Sequence, residues 1–136
     1  MKGRVVKENQ LLLWEAPSPH QRRFGLMFER DITPTTNLTA GIVVLPPQQE
    51  QPKLSSHQAE EIYYVLRGRG RFELDGEVFE VEKGTGIYVG QGVKHRAINV
   101  GDEDLELFYV NSPPEGVFGP VGGYLEIVKG WKQIQS

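Results

Sequence analysis

Apolar residues in this chain fall in short runs that stop at glycine, proline or an Asp-Gly pair. Leu11-Leu12-Leu13-Trp14 ends before Pro17, and Phe24, Leu26 and Phe28 alternate with Gly25, Met27 and Glu29. Successive strand side chains point to opposite faces, so this period of two predicts a half-buried strand. Leu38 to Leu45 is a longer apolar run closed by Pro46-Pro47, which predicts a more deeply buried strand. Ile62 to Leu66, β-branched and aromatic, is followed by Gly68. Phe72-Glu73-Leu74 and Val78-Phe79-Glu80-Val81 flank Asp75-Gly76, residue types that tolerate the positive φ of a tight hairpin. Ile87-Tyr88-Val89, Ala97 to Val100, a Gly101-Asp102 turn and Leu105 to Val110 complete the series. The pattern predicts about eight to ten short antiparallel strands at sandwich or barrel spacing. In the tail, Leu125, Val128, Trp131 and Ile134 recur every three positions, which predicts a short helix over Tyr124 to Ile134, interrupted by Gly130.

The 136 residues suffice for one domain, taken as 1–136. The net charge of −3 excludes the broad cationic field of a non-specific nucleic-acid binder. Arg67-Gly68-Arg69-Gly70-Arg71 is read accordingly as a turn between strands with solvated arginines. Cysteine is absent, so disulfides and thiolate metal sites are excluded. No apolar run is long enough to span a bilayer, and the basic Met1-Lys2-Gly3-Arg4 is not followed by a signal-peptide core. The expectation is a cytoplasmic protein with neither a nucleic-acid nor a membrane partner.

The chemistry rests on three histidines, of which His20 belongs to a Pro17-Ser18-Pro19 surface loop. His57 stands in Ser55-Ser56-His57-Gln58-Ala59-Glu60-Glu61-Ile62-Tyr63-Tyr64-Val65-Leu66-Arg67-Gly68. His95 stands in a second stretch with Gly84, Gly90, Gly92 and Asn99. Alternation puts Glu61 on one face with Tyr63 and Val65, and His95 on one face with Ala97 and Asn99. A carboxylate turned toward a core needs a partner. Two histidines and one carboxylate meeting near a barrel mouth would be a facial ligand set, suited to Fe(II) and tolerant of other divalent ions. The plainer alternative leaves His57 and His95 as satisfied core or surface side chains.

These two stretches resemble the paired motifs of the cupin superfamily. The first motif spans about residues 49–68, with Gln49 in place of the opening glycine and Ser55 in place of the first histidine; the second spans about 84–99. The resemblance implies an all-β fold, a double-stranded β-helix (jelly-roll) barrel, with amino-terminal strands in 1–41 and a carboxy-terminal extension over 111–136. It implies one divalent ion (Fe, Mn, Ni, Co or Zn) held by His57, Glu61 and His95. Ser55, Gln49, Gln51 and Tyr63 are further candidates for the pocket, the two glutamines because the stiff Pro46 to Gln49 loop is expected near the mouth. The function implied is a metal-dependent enzyme, sugar isomerase- or epimerase-like or dioxygenase-like, acting on a small polar metabolite. Two alternatives are a non-catalytic module that binds a sugar or an acid, and a metal-free barrel with a structural role. Small cupins also imply a homodimer, paired edge to edge through the amino-terminal strands Leu11 to Trp14 and Phe24 to Phe28.

Overall fold

The computed structural model describes residues 3–28, 33, 35–51, 58–113 and 131–134. Its strands are β1 (Leu12–Glu15), β2 (Arg23–Phe28), β3 (Thr39–Leu45), β4 (Glu60–Arg67), β5 (Arg69–Leu74), β6 (Glu77–Glu82), β7 (Gly86–Val89), β8 (His95–Ile98), β9 (Leu105–Ser112) and β10 (Lys132–Ile134). All named pairings are antiparallel. Seven strands form one sheet in the order β10-β1-β2-β3-β9-β4-β7, and three form the other in the order β6-β5-β8. A bridge from Glu50 to Ile98 extends the smaller sheet beyond β8. This is the jelly-roll arrangement expected from the strand spacing and the motifs.

Alternation makes the two inner faces. On β4, Glu61, Tyr63 and Val65 are buried while Ile62, Tyr64 and Leu66 are exposed. On β9, Leu105, Leu107, Tyr109 and Asn111 are buried. Register places Val43 against Leu107 and Leu45 against Leu105, so the apolar rows run straight across the larger sheet. Phe72, Val81 and Ala97 of the smaller sheet pack into the same core. Each fully buried valine, leucine or phenylalanine side chain stabilises the fold by about 1.5–3 kcal/mol.

Turns end the strands where the chain must reverse. Asp75 and Gly76 have φ of 45° and 89°, the paired positive values of a tight two-residue hairpin between β5 and β6. Gly68, with φ of 84°, makes the corner between β4 and β5. Its arginine neighbours are on the surface: Arg67 pairs with Asp104 at 3.0 Å and Arg71 with Glu80 at 2.9 Å.

Three expectations change. Lys132–Ile134 is a strand, β10, paired with β1, and not the last turn of a helix; residues 114–130, where that helix was expected to begin, lie outside the described residues. Both edges of β1 and of β2 are taken by strands of the same chain, β10 with β2 and β1 with β3. Edge-to-edge pairing of subunits through these two strands is therefore closed. Finally, the Pro46 to Gln49 turn sits at the end of the barrel away from Glu61: Gln48 Nε2 donates to the Gly101 carbonyl at 2.9 Å, and Asn99 N–H donates to the Gln49 carbonyl at 2.8 Å.

Candidate functional site

Glu61 comes from the larger sheet and His95 from the smaller, and their side chains meet between the two. His95 Nε2 lies 3.2 Å from Glu61 Oε1, both side chains being almost fully buried. The other ring nitrogen, Nδ1, is 3.0 Å from the Val93 carbonyl. A carbonyl oxygen only accepts, so this contact is a hydrogen bond only when Nδ1 carries the proton. In the neutral ring Nε2 then presents a lone pair to a carboxylate. That contact is attractive only with a proton or a cation between the two atoms.

The carboxylate is also hydrogen-bonded to Tyr63. Burial pushes the Tyr63 phenol well above its ordinary range, and the Glu61 charge and hydrogen bond raise it further, while a hydrogen bond from Gln51 pulls the other way. The phenol therefore stays protonated and donates a hydrogen bond to the Glu61 carboxylate. Gln51 is oriented in turn by Ala97, whose N–H donates to Gln51 Oε1 at 2.8 Å, leaving the amide NH₂ for Tyr63. The rings of Tyr63 and Phe72 are 5.0 Å apart, and the Phe72 and His95 planes are parallel within 1°. Hydrogen bonds and packed rings together fix the orientation of the Glu61–His95 pair.

Of the candidate residues, the structure thus brings Glu61, His95, Tyr63 and Gln51 together. Gln49 is separate, tied through its backbone to Pro46 and Asn99 at the far end. Ser55 and His57 lie outside the described residues, and among the described residues no three His, Asp or Glu side chains gather as a metal set. Asn99, the last landmark of the second motif, is structural. Fully buried, it donates to the Leu45 and Glu103 carbonyls at 2.9 and 2.8 Å and accepts from Gly101 N–H at 2.9 Å. A groove of about 670 Å³, bounded in part by Leu11, Gly25, Ile42 and Glu106, lies on the outer face and includes none of the candidate residues.

Two further polar side chains share the interior with Glu61 and were not singled out from the sequence. Thr39 stands opposite Asn111, and Asn111 opposite Glu61, in one row across β3, β9 and β4. The available signal was Asn111 itself, an amide continuing the inward alternation of Leu105, Leu107 and Tyr109.

Comparison with known proteins agrees with this architecture. Residues 41–111, just over half of the chain, match the family model described as the cupin domain. An uncharacterized protein of Methanocaldococcus jannaschii is 43% identical over 58 residues, a match that spans 46% of that protein's length. Polyketide synthase CurC of Streptomyces cyaneus is 29% identical over 116 residues, 83% of this chain and 71% of CurC. The crystal structure of a predicted oxalate decarboxylase from Thermotoga maritima superposes with a TM-score of 0.72 at 20% identity, over 82% of this chain and all of that one. This chain belongs to the cupin family.

Proposed function

We propose that this cupin is a metal-dependent enzyme acting on a small polar metabolite in the mouth of its barrel, with His57, Glu61 and His95 as ligands to one divalent ion. The observation that carries the reading is the buried contact between His95 Nε2 and Glu61 Oε1 at 3.2 Å. With Nδ1 committed to the Val93 carbonyl, Nε2 and the carboxylate are two donors turned toward each other. Together with His57 they would hold the ion, an imidazole and a carboxylate being donors that such ions accept. Donor types fit Fe, Mn, Ni, Co or Zn.

When bound, such an ion supplies a Lewis acid, or a site for O₂, beside the substrate. The protein's own part is to hold and to shield. Val93 fixes the His95 tautomer, Tyr63 and Gln51 hold Glu61 in place, and Phe72 keeps the ring plane from turning. Partners of this kind change metal affinity by about 10–100-fold in other sites. The likeness to CurC, and to the structure named for oxalate decarboxylation, supports a small organic ligand rather than nucleic acid or membrane. We further propose that the protein acts in the cytoplasm as a homodimer; among the described residues no helix is long and apolar enough to cross a membrane.

Elemental analysis tests the metal. The purified chain is expected to carry close to one divalent ion, and His95→Ala and Glu61→Gln less than about a tenth of that. Equal and negligible metal in all three would overturn the reading. Binding of metabolites without turnover on a panel of sugars and small acids would give the site to the non-catalytic module instead.

A further inference from the structure

Asp75 does more than turn the hairpin between β5 and β6. Its φ of 45° lies in the left-handed region, and its side chain leaves that turn to reach the chain just before β8. Asp75 Oδ1 accepts a hydrogen bond from the Lys94 N–H at 2.9 Å, and the Asp75 N–H donates to the Lys94 carbonyl at 2.8 Å. Two facing residues of an antiparallel ladder ordinarily exchange such bonds between their backbones alone. Here the chain turns away at Asp75, and the carboxylate takes the return bond in place of the backbone carbonyl.

The position of this exchange ties it to His95. Bonded and non-bonded pairs alternate along an antiparallel ladder. Asp75 and Lys94 exchange bonds, so Leu74 and His95, the next pair in register, do not. His95 is fastened to β5 through its neighbours, and Lys94 is the fastening on its amino-terminal side. The link to the ring is closer still. The Val93 carbonyl, 3.0 Å from His95 Nδ1, and the Lys94 N–H that meets Asp75 belong to one peptide group. That peptide is trans, the cis bonds being those before Pro19 and Pro113, so its N–H and C=O point in opposite directions. A continuous line runs from the Asp75 carboxylate through this peptide to the His95 imidazole, whose far nitrogen Nε2 lies 3.2 Å from Glu61 Oε1.

Hydrogen bonds in a chain polarise one another. A carboxylate on the N–H end makes the Val93 oxygen a stronger acceptor, and that oxygen then holds the proton on Nδ1. The Nε2 lone pair is thereby kept for the ion and made a better donor, as when a carboxylate bonds a ligating histidine directly. The turn by itself would be served as well by glycine. Resting on the proposed metal site, we infer that Asp75 is a positioning residue for that site: through the peptide between Val93 and Lys94, its carboxylate fixes the tautomer and the place of His95.

Asp75→Gly tests this without straining the turn, because glycine accepts a positive φ. Heteronuclear NMR of the metal-free full chain, with the imidazole neutral, reads which nitrogen of His95 carries the proton. The parent should show one tautomer, protonated at Nδ1, and Asp75→Gly a mixture of the two. Affinity for Co²⁺, by competition with a chelator, should fall about tenfold in Asp75→Gly, the lower end of the range for such partners because Asp75 is exposed. Asp75→Asn keeps an oxygen acceptor and should match the parent in both measurements. Glu80→Gln breaks the ion pair with Arg71 in the same hairpin, on a strand not adjacent to β8, and should also leave both unchanged. A parent ring protonated at Nε2, or a ring unchanged in Asp75→Gly, would overturn the inference, as would Co²⁺ affinity equal to the parent's in that variant. An equal loss in Asp75→Asn would assign the effect to charge at a distance, and an equal loss in Glu80→Gln to a loosened hairpin; either result overturns it too. A parent that binds no Co²⁺ defeats the metal reading, and the relay from Asp75 to His95 is then decided by the ring signals alone.

Discussion

Tyr63 joins the backbone of the smaller sheet to the candidate site, since its phenol is hydrogen-bonded both to Gln51, which accepts from the Ala97 N–H, and to Glu61. A phenol raised in the folded state above its ordinary 10.0 contributes stability that is complete below that value. The contribution is lost as the pH rises toward the folded value, because the unfolded chain releases the proton first. Above about pH 10 each further unit should favour unfolding of the parent about tenfold, relative to a chain without this phenol. Melting temperatures of the parent and Tyr63→Phe, followed from neutral pH to about pH 11.5, should therefore converge or cross as the pH rises. Parallel curves over that range would mean that the phenol is not held up. At this scale the inward placement of Glu61, His95 and Tyr63 was legible in the sequence, because motif spacing and alternation are local properties. Thr39 and Asn111 escaped notice because what joins them to Glu61 is register across three strands, set by residues more than twenty positions apart in the chain. Gln49 was misplaced for the same reason: its position depends on pairing with Asn99, which alternation does not reveal.

The strands were legible wherever one face is buried and the other wet. β4 and β9 alternate cleanly, and the Asp75-Gly76 turn declares the β5–β6 hairpin. β10 was not, because its only strand contact is a distant one. Leu125, Val128, Trp131 and Ile134 satisfy a helical spacing, yet Trp131 is buried against Phe24, with ring centroids 5.4 Å apart, and Lys132–Ile134 lies along β1. A buried Arg22 guanidinium stands 4.9 Å from the Trp131 ring centre and completes that seam. On β3, Gly41 records how tightly neighbouring elements approach. A Cβ there would meet the Gly25 carbonyl of β2 and come within 2.9 Å of the Tyr109 hydroxyl. The backbone contact cannot be relieved by a rotamer change, so Gly41→Ala should cost about 1–3 kcal/mol, read as a lower urea midpoint. Gly86→Ala, whose Cβ would meet nothing within 4 Å, is the control expected to stay near the parent. Equal midpoints for Gly41→Ala and the parent would show that β2 and β3 can separate to admit a methyl group.

At the scale of the whole molecule the larger sheet has two unlike faces, and only the inner one is explained by the core and the candidate site. On its outer face Ile62, Tyr64, Leu66 and Tyr88 are 50%, 48%, 38% and 60% exposed. Register sets Ile62 between Val110 and Tyr88, and Tyr64 beside Phe108, so the exposed side chains form one patch with half-buried neighbours. The four together expose about 400 Å² on the usual side-chain areas, at the level that marks interaction surfaces on soluble proteins. A standard interface takes about 800 Å² from each partner, of which somewhat more than half is apolar. The patch therefore supplies most of the apolar area that one side of a dimer requires. A second copy of this chain is the fitting partner, because a two-fold axis through the sheet would lay the same stripe on itself. Strand β7, which carries Tyr88 and is the last strand of the larger sheet among the described residues, would lie at the rim of that contact. Light scattering at about 10 μM, ample for a standard interface of micromolar affinity or better, should give twice the chain mass for the parent. Ile62→Lys combined with Tyr88→Lys, which sets like charges across the axis and leaves the core untouched, should give the mass of one chain with an unchanged melting profile at low concentration. A parent that scatters as one chain would show that this face is solvated, and a double variant that remains dimeric would move the contact to another surface.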